Sequence, residues 1–304
     1  MPHKLALCEI DKPIPKDNEV LIRVQVVSLN AADYRSMKMG MIPKSRIFGA
    51  DVAGIVESVG KNTSIFMPGD EVIGDLSNLG FGGLAEFVAA PEKALVLKPR
   101  QVSFEAAATL PLAGITALQA LRNKGDIQKG QKVLIVGSAG SVGPFAVQLA
   151  KYFGAELTGV CSTKNLSQTL SLGADKVIDY TKEDFLNGNE RYDLILGING
   201  NYPLFAYRKS LNPNGKYVMV GGSLSQIFKS LLFGWLLSFG SKKMKSATAK
   251  ANKQDLEFLA GLLENGSIKP VIERRYPLEK TADAMDYLSL GHPTGKVIIL
   301  VSEQ

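Results

Sequence analysis

The chain of 304 residues is long enough for about two domains. Hydrophobic residues make up 45% of it and charged residues 21%, which is ordinary for a globular protein and excludes disordered and fibrous classes. The 35 basic and 29 acidic residues give a net charge of +6, which suits an anionic ligand. Because no basic stripe interleaved with aromatic residues is present, we expect no nucleic-acid partner.

Cysteine and histidine are rare in this sequence. Cys8 and Cys161 are too few for a disulfide framework, which predicts a reducing compartment, the cytoplasm. The only histidines are His3 and His292. Zinc normally takes three or four Cys, His or carboxylate ligands, so the sequence predicts no metal site. Residues 1–20 contain lysines and no apolar stretch, so no signal peptide is predicted.

The most hydrophobic segment, Ile227–Phe239, is too short to cross a membrane and contains Lys229. Several lysines follow it over residues 242–250. An apolar run beside a basic run fits a helix on a membrane surface. We favour the alternative, a helix packed at a domain or subunit interface, and we expect a homodimer.

The first third of the chain predicts a β-rich domain. Alternating apolar residues indicate strands at Glu19–Val27, Asp51–Val59 and Glu71–Gly74, and Gly and Pro turns separate them. The pattern then changes, because Phe104–Leu121 is typical of a helix with a break at Pro111.

From Lys132 onward, short apolar strands alternate with helices, which predicts a parallel sheet covered on both faces. The predicted strands are Lys132–Val136, Glu156–Cys161, Lys176–Tyr180, Tyr192–Ile198 and Lys216–Val220. The predicted elements of the remaining chain are a helix at Lys253–Leu263, a strand at Val271–Arg275, a helix at Leu278–Leu288 and a strand at Val297–Val301.

The most informative motif is VLIVGSAGSVG at Val133–Gly143, where glycines recur as G-x-x-G-x-x-G. A β-branched strand enters it and an amphipathic helix, Val142–Tyr152, leaves it. Glycines let the backbone approach a pyrophosphate, and a helix N-terminus presents free N–H groups. The motif predicts a dinucleotide-binding loop made of Gly137, Ser138, Ala139, Gly140, Ser141, Val142 and Gly143.

The end of the next strand indicates which dinucleotide binds. An NAD-selective site places Asp or Glu there, to accept a hydrogen bond from the ribose 2′-hydroxyl. Here Cys161 is followed by Ser162, Thr163 and Lys164, with no carboxylate. Hydroxyl donors and a cation suit a 2′-phosphate, so we predict NADP. The alternative for Lys164 is a solvated position at the start of a helix.

Several stretches in the same order resemble the zinc-independent quinone oxidoreductase branch, with its enone (alkenal) reductases, of the medium-chain dehydrogenase/reductase superfamily. The matching stretches, which run over nearly the whole chain, are residues 28–34, 49–74, 82–88, 110–121, 133–151, 172–180, 211–222 and 292–299. The resemblance implies an α/β protein with a GroES-like catalytic domain at 1–113 and 265–304. It also implies a Rossmann-type NADP-binding domain with a doubly wound parallel sheet at 114–264.

Two departures from the family bear on these expectations. The amino end is short by about one strand, which leaves an edge strand unpaired or points to a truncated start. The segment Lys38–Ile47 is compact, which alters the expected substrate pocket, so the resemblance does not identify the substrate.

The resemblance implies roles for particular residues. Asn30, Asp33 and Tyr34 match an N-x-x-D segment near the nicotinamide, where Asn30 would donate to a carbonyl oxygen and Tyr34 would donate a proton or stack on a ring. The alternative for Asn30 and Asp33 is to cap a helix. Further positions that the family places around the cofactor are Thr116, Tyr180, Asn199, Gly221, Gly222 and Lys296. Their alternatives are structural, such as a plain turn at the two glycines or a surface lysine at a strand start.

The implied reaction is hydride transfer from NADPH to a quinone or an α,β-unsaturated carbonyl compound. Without zinc, hydrogen-bond donors must stabilise the negative charge that develops on the substrate oxygen. Two alternatives remain open at this point. One is an NADP-dependent alcohol dehydrogenase of the same superfamily, and the other is a non-catalytic NADPH-binding redox sensor or RNA-associated protein.

Overall fold

The computed structural model describes residues 5–186, 188–199, 202–221, 240–291 and 293–302. The chain divides into two compact units. The first combines Met1–Ile115 with Lys250–Gln304, and the second is Thr116–Ala249. Each unit has its own sheet and its own hydrophobic core.

The first unit is built on a seven-stranded sheet in the order β12-β13-β1-β2-β3-β5, with β4 also paired to β1. Its strands are β1 (Glu19–Leu29), β2 (Asp51–Val59), β3 (Glu71–Asp75), β4 (Phe87–Pro91), β5 (Leu95–Leu97), β12 (Ile272–Pro277) and β13 (Lys296–Leu300). Strand β1 is antiparallel to β2, β4 and β13, whereas β12 and β13 are parallel. The structure confirms the predicted strands β1, β2 and β3, while β4 and β5 were not predicted.

The helices of this unit are α1 (Ala31–Lys38), α2 (Phe104–Ala108), α7 (Lys253–Glu264) and α8 (Thr281–Ser289). Helix α3 (Pro111–Gln119) begins in this unit and ends in the second, because the boundary falls after Ile115. Pro111 separates α2 from α3, as the sequence predicts, because proline cannot donate the hydrogen bond that a continuous helix needs at that position. Strand β1 and helix α8 both contribute to the core, through residues such as Ile22, Val24, Met285 and Leu288.

The second unit is a six-stranded, all-parallel sheet in the order β11-β10-β9-β6-β7-β8. Its elements are β6 (Lys132–Val136), α4 (Gly143–Tyr152), β7 (Glu156–Cys161), α5 (Leu166–Ser171), β8 (Lys176–Asp179), β9 (Tyr192–Gly197), α6 (Leu204–Lys209), β10 (Leu211–Met219) and β11 (Lys243–Ser246). The predicted parallel sheet is therefore confirmed. Chain order reverses on either side of β6, and ligands of such sheets bind at the carboxyl ends of the strands beside a reversal.

One predicted boundary needs correction. The sequence analysis placed residues 114–264 in the cofactor domain, whereas the structure groups α7 with the first unit. The physical reason is the apolar face of α7, on which Leu256, Leu259 and Leu263 are buried. Leu259 lies opposite Gly114, and α7 also packs beside β5. Periodicity predicted the helix and its apolar face, but not which sheet would cover that face.

Among the described residues, no helix is both long enough and apolar enough to span a bilayer. The hydrophobic segment Ile227–Phe239, predicted as a membrane-surface or interface helix, lies outside the described residues.

Candidate cofactor and active sites

The glycine motif forms the turn between β6 and α4. Gly137 has a φ of 90° and Gly140 a φ of 86°, which is the left-handed region that favours glycine. A Cβ atom on Gly137 would lie 2.8 Å from the backbone nitrogen of Asn199. A Cβ atom on Gly143 would overlap the carbonyl oxygen of Gly137 and lie 2.5 Å from the carbonyl carbon of Ser138. The loop closes this tightly because three of its residues lack side chains.

The loop offers hydrogen-bond donors to an anion. Among the described residues, no acceptor pairs with the backbone N–H groups of Ala139, Gly140, Ser141 and Val142. Helix α4 begins directly after them, with Pro144 in its first turn, where an N–H group would have no helical partner. Free N–H groups at the start of a ten-residue helix suit a pyrophosphate, so the residues present fit a dinucleotide.

Ser138 differs from its neighbours. Its side chain is fully buried, and both its backbone N–H and its hydroxyl point to the carbonyl oxygen of Val160, at 3.1 and 3.2 Å. Its Oγ also lies 3.1 Å from Oγ1 of Thr169. Ser138 was predicted as a cofactor contact, but its polar groups bind β7 and α5. It therefore shapes the loop and leaves the phosphate contacts to the residues after it.

The carboxyl ends of β7 and β8 lie side by side and carry the residues predicted for the 2′-phosphate. Ser162 accepts a hydrogen bond from Nδ2 of Asn165 at 3.2 Å, a bond that leaves its own hydroxyl hydrogen available. Lys164 and Tyr180 are exposed, and the backbone N–H of Tyr180 donates to Cys161 at 3.1 Å. These three side chains retain polar groups that are available to a ligand.

Thr163 is arranged differently from the prediction. Its hydroxyl donates to Oδ2 of Asp179 at 2.5 Å, so its hydrogen is not available to a phosphate. Asp179 was not predicted from the sequence, because a carboxylate that selects NAD is expected at the end of β7, whereas Asp179 lies at the end of β8. The hydrogen bonds of Thr163 and Thr181 hold the pKa of Asp179 at about 2, well below its usual range. Asp179 is therefore ionised at neutral pH.

The remaining predicted cofactor positions lie at other strand ends of the second unit or in α3. Asn199 follows β9 and is exposed, and its backbone N–H donates to Val136 at 3.2 Å. Gly221 follows β10, where a Cβ atom would lie 2.6 Å from the carbonyl oxygen of Ile198. Thr116 is half-buried within α3. Gly222 lies outside the described residues.

In the first unit, Lys296 is almost completely buried, with 1% of its surface exposed. Its Nζ donates to Oδ1 of Asn30 at 2.6 Å and lies 3.5 Å from Oδ2 of Asp51. Lys296 was predicted near the nicotinamide. Its ammonium group is bonded to Asn30 and lies beside Asp51 in its own unit, and a role near the nicotinamide stays a prediction.

Asn30 connects the two charged partners of this arrangement. Its Nδ2 donates to Oδ2 of Asp51 at 2.8 Å and to the carbonyl oxygen of Ser28 at 3.2 Å. Asp51 also accepts a hydrogen bond at 3.0 Å from the backbone N–H of Leu112, in the first turn of α3. Both amide hydrogens of Asn30 are used, so none remains for the substrate carbonyl that the sequence analysis assigned to it.

Asp33 caps α1, the alternative considered from the sequence. Its Oδ2 accepts a hydrogen bond from the backbone N–H of Asn30 at 2.8 Å, and its Oδ1 accepts one from Gly49 at 3.2 Å. The residue is fully buried and cannot touch a substrate in this conformation. Together, Asn30, Asp33, Asp51 and Lys296 form what we call the buried polar cluster.

Burial dominates the electrostatics of this cluster. It raises the pKa of Asp33 to about 6 and that of Asp51 to about 8, because a charged carboxylate is costly away from water. It lowers the pKa of Lys296 for the same reason. The opposite charges of Lys296 and Asp51 act against both shifts. The partners therefore hold one another in place, and removing one leaves buried polar groups without a partner.

Tyr34 lies in α1, directly after Asp33. Its ring is half-buried against the core of the first unit. Within the described part of the chain, no group forms a hydrogen bond with its hydroxyl. Of the three residues predicted to be catalytic, Tyr34 is the one whose polar group remains available to a substrate.

Comparisons with known proteins agree with this architecture. A family model described as an alcohol dehydrogenase GroES-like domain matches residues 16–100, and one described as a zinc-binding dehydrogenase matches residues 172–299. The chloroplast envelope quinone oxidoreductase homolog of Arabidopsis thaliana is 35% identical to the chain, with 96% of the chain and 92% of the relative covered. The NADPH-dependent alkenal/one oxidoreductase of the same plant is 33% identical, with coverages of 94% and 73%.

The solved structure of the quinone oxidoreductase from Coxiella burnetii superposes with a TM-score of 0.89 at 28% identity, covering 99% of this chain and 96% of that one. A GroES-like unit combined with a Rossmann-type unit defines the medium-chain dehydrogenase/reductase class. The chain belongs to the quinone oxidoreductase branch of this superfamily, and it is an NAD(P)H oxidoreductase. The predicted family, fold class and enzymatic nature are confirmed.

The description of one family model mentions zinc, and the side chains of the described residues do not form a donor set that fits that metal. Among the described residues, no three His, Cys, Asp or Glu side chains are grouped so that they could hold an ion. Cys8 is exposed near the amino end, while Cys161 is buried at the end of β7. The sequence contains two histidines, and structural or catalytic zinc needs a larger donor set. Zinc therefore has no role in the mechanism proposed for this chain.

Proposed function

We propose that the enzyme is an NADPH-dependent, zinc-independent reductase of quinones or α,β-unsaturated carbonyl compounds. The observation that carries this proposal is the tight glycine loop between β6 and α4 with its available backbone N–H groups, next to a strand end that presents Ser162 and Lys164. An anionic pyrophosphate fits the loop, and a 2′-phosphate fits a hydroxyl and an ammonium group. The names of relatives, which include quinone and NADPH-dependent alkenal/one oxidoreductases, support the same substrates.

The bound cofactor would supply a hydride, and the protein would supply position and hydrogen-bond donors. Ala139, Gly140, Ser141 and Val142 would bind the pyrophosphate through their backbone N–H groups. In the first unit, Tyr34 would donate a hydrogen bond to the substrate oxygen as negative charge develops, and then deliver a proton to it. The buried polar cluster would hold the start of α1, and with it Tyr34, in one orientation.

The missing zinc donor set favours conjugated substrates. A simple ketone concentrates negative charge on one oxygen, and a metal or a strong set of donors must stabilise that charge. A quinone or an enone spreads the same charge through conjugation, so one hydroxyl donor is sufficient. This consideration favours the proposed activity over the alcohol dehydrogenase alternative. A homodimer and a cytoplasmic location remain predictions.

The experiment is NADPH consumption with quinones, enones and alkenals, compared with saturated aldehydes matched in length. We expect the conjugated acceptors to react much faster. With an enone, deuteride from C4-labelled NADPH should appear on the β-carbon. Efficient turnover of saturated aldehydes, with label on the carbonyl carbon, would favour the alcohol dehydrogenase alternative and contradict the proposal.

The same assay tests Tyr34. Tyr34→Phe should lower kcat by about 10- to 100-fold with a smaller effect on KM, because the lost donor acts mainly in the transition state. Tyr152→Phe, at the exposed end of α4, is the matched control and should keep its activity. An unchanged kcat in Tyr34→Phe would remove this residue from the mechanism.

A further inference from the structure

We propose that Asp179 is a positioning residue that determines the preference for NADPH over NADH, by joining the loops that follow β7 and β8. The inference rests on the proposed NADPH dependence. Asp179 is not a predicted ligand, and only 8% of its side-chain surface is exposed. It acts through the residues to which it is hydrogen-bonded, Thr163 and Thr181.

The carboxylate of Asp179 binds both loops at once. Its Oδ2 accepts the hydrogen bond from the Thr163 hydroxyl, which lies in the loop after β7. Its Oδ1 accepts two hydrogen bonds from Thr181, from the hydroxyl at 2.7 Å and from the backbone N–H at 3.0 Å. The Nζ atom of Lys182 lies 3.7 Å from Oδ2. We call the bonds of Thr163 and Thr181 to Asp179 the Asp179 clasp.

The clasp restrains the backbone that carries the two exposed side chains that we assign to the 2′-phosphate. Lys164 directly follows Thr163, and Tyr180 directly follows Asp179. The backbone bond from Tyr180 to Cys161 adds a second connection between the same two loops. The backbone segments that carry Lys164 and Tyr180 are therefore joined by hydrogen bonds before any ligand binds. A preorganised site loses less entropy when it binds.

The clasp also controls the charge at this site. A free carboxylate beside a 2′-phosphate would repel it, which is how acidic residues select NAD. Three donated hydrogen bonds satisfy the oxygens of Asp179, and most of the side chain is buried. Lys182 offsets part of its charge. Opening the clasp would free this carboxylate to repel the phosphate, and it would also make the backbone at Lys164 more mobile. Both effects should lower the affinity for NADPH and leave the affinity for NADH unchanged.

The test compares 2′,5′-ADP with 5′-AMP, which differ only in the 2′-phosphate, by titration calorimetry on the full chain. Thr163→Val removes the hydroxyl donor and keeps the branched shape, whereas Thr163→Ser keeps the donor. The preference is the ratio of the dissociation constants for 5′-AMP and 2′,5′-ADP. We expect this ratio to fall about fivefold in Thr163→Val and to be unchanged in Thr163→Ser. Lys176→Met is the matched control on β8, because Lys176 pairs with Glu190 on the exposed surface away from the clasp.

The outcomes separate the two proposals. If the unmodified protein binds both nucleotides equally, the proposed NADPH dependence fails and this inference fails with it. If the unmodified protein prefers 2′,5′-ADP and Thr163→Val keeps the full preference, the clasp is only structural and this inference alone is overturned. A lower melting temperature of the valine variant with an unchanged preference would have the same meaning. Loss of preference in the control would also contradict the assignment.

Discussion

The Nζ atom of Lys296 lies 2.6 Å from Oδ1 of Asn30, although 266 positions separate the two residues in the chain. The bond joins the start of β13 to the residue that caps α1. Asp51, at the start of β2, completes the contact on the other side of Asn30. Two strands and the N-terminus of α1 thus meet at a single ammonium group, and this arrangement places the helix that carries Tyr34.

Lys296→Met should destabilise the first unit strongly. The variant keeps most of the side-chain volume but leaves Asn30 and Asp51 without their cation. Breaking a buried pair costs about 3–5 kcal/mol, whereas an exposed pair contributes about 0–1 kcal/mol. Denaturant unfolding should show this difference between Lys296→Met and the exposed control Lys176→Met. The double variant with Asp51→Asn should recover part of the loss, and a loss no larger than that of the control would contradict the assignment.

Asp33 should make stability fall as the pH rises from about 4 to about 6. Burial raises its pKa from 3.8 to about 6, so the folded state binds the proton more tightly than the unfolded state. The stability gained from this proton is fully present below pH 4 and is lost through pH 6, by up to about 3 kcal/mol. The pH dependence of unfolding should be flatter in Asp33→Asn. If the free energy of unfolding changed equally with pH in both proteins between pH 4 and 6, the role assigned to Asp33 would be contradicted.

Gly143→Ala should weaken cofactor binding by at least about tenfold, because the new Cβ atom would overlap the Gly137 carbonyl and force the loop open. Gly261→Ala is the matched control. Gly261 lies in α7 with no heavy atom near its added Cβ, so alanine should stabilise that helix by about 0.5–1 kcal/mol. Titration with NADPH measures the first effect and thermal unfolding the second. Normal NADPH affinity in Gly143→Ala would show that this loop does not bind the cofactor.

Lys164→Ala should reduce the preference for NADPH. We expect the unmodified enzyme to bind NADPH at least about tenfold more tightly than NADH, which corresponds to roughly 1.4 kcal/mol. The variant should lose most of this difference and keep its affinity for NADH, since the proposal assigns the lysine to the 2′-phosphate alone. Fluorescence titration with both cofactors gives the four constants. If NADH affinity fell in parallel, Lys164 would support the fold and not the phosphate.

Activity should not require zinc. Dialysis against a strong chelator should leave turnover unchanged, because the chain lacks the usual donor set. Elemental analysis should find well below one zinc per chain. Activity lost on chelation and restored by zinc would contradict the mechanism.

Local patterns were sufficient to predict the glycine loop, the parallel strands around it and the order of most elements. These features depend on side-chain periodicity and on residues adjacent in sequence, such as Gly137 and Gly143. The roles of Asn30 and Lys296 depend on contacts between distant strands, and one sequence does not show which polar groups will meet. The family resemblance suggested that both lie near the nicotinamide, whereas the structure shows their polar groups bonded to each other.

The same limit applies to the site proposed for the 2′-phosphate. The sequence shows Thr163 as a hydroxyl after a strand, with no sign that Asp179 will take its hydrogen. The pairing arises because β7 and β8 are parallel neighbours, with Cys161 opposite Asp179. Helix α7 is a third case, since its apolar face was evident but its partner was not.

Strand β8 is the outermost strand on its side of the described sheet, so the clasp lies far from the sheet's centre. Substitutions at Thr163, Lys164 and Tyr180 therefore leave the core packing around β6 and β9 untouched. Coenzyme use in this scaffold is consequently open to redesign at a few surface positions. A small combinatorial library over the loops after β7 and β8 should yield NADH-using variants that keep the melting temperature of the parent enzyme.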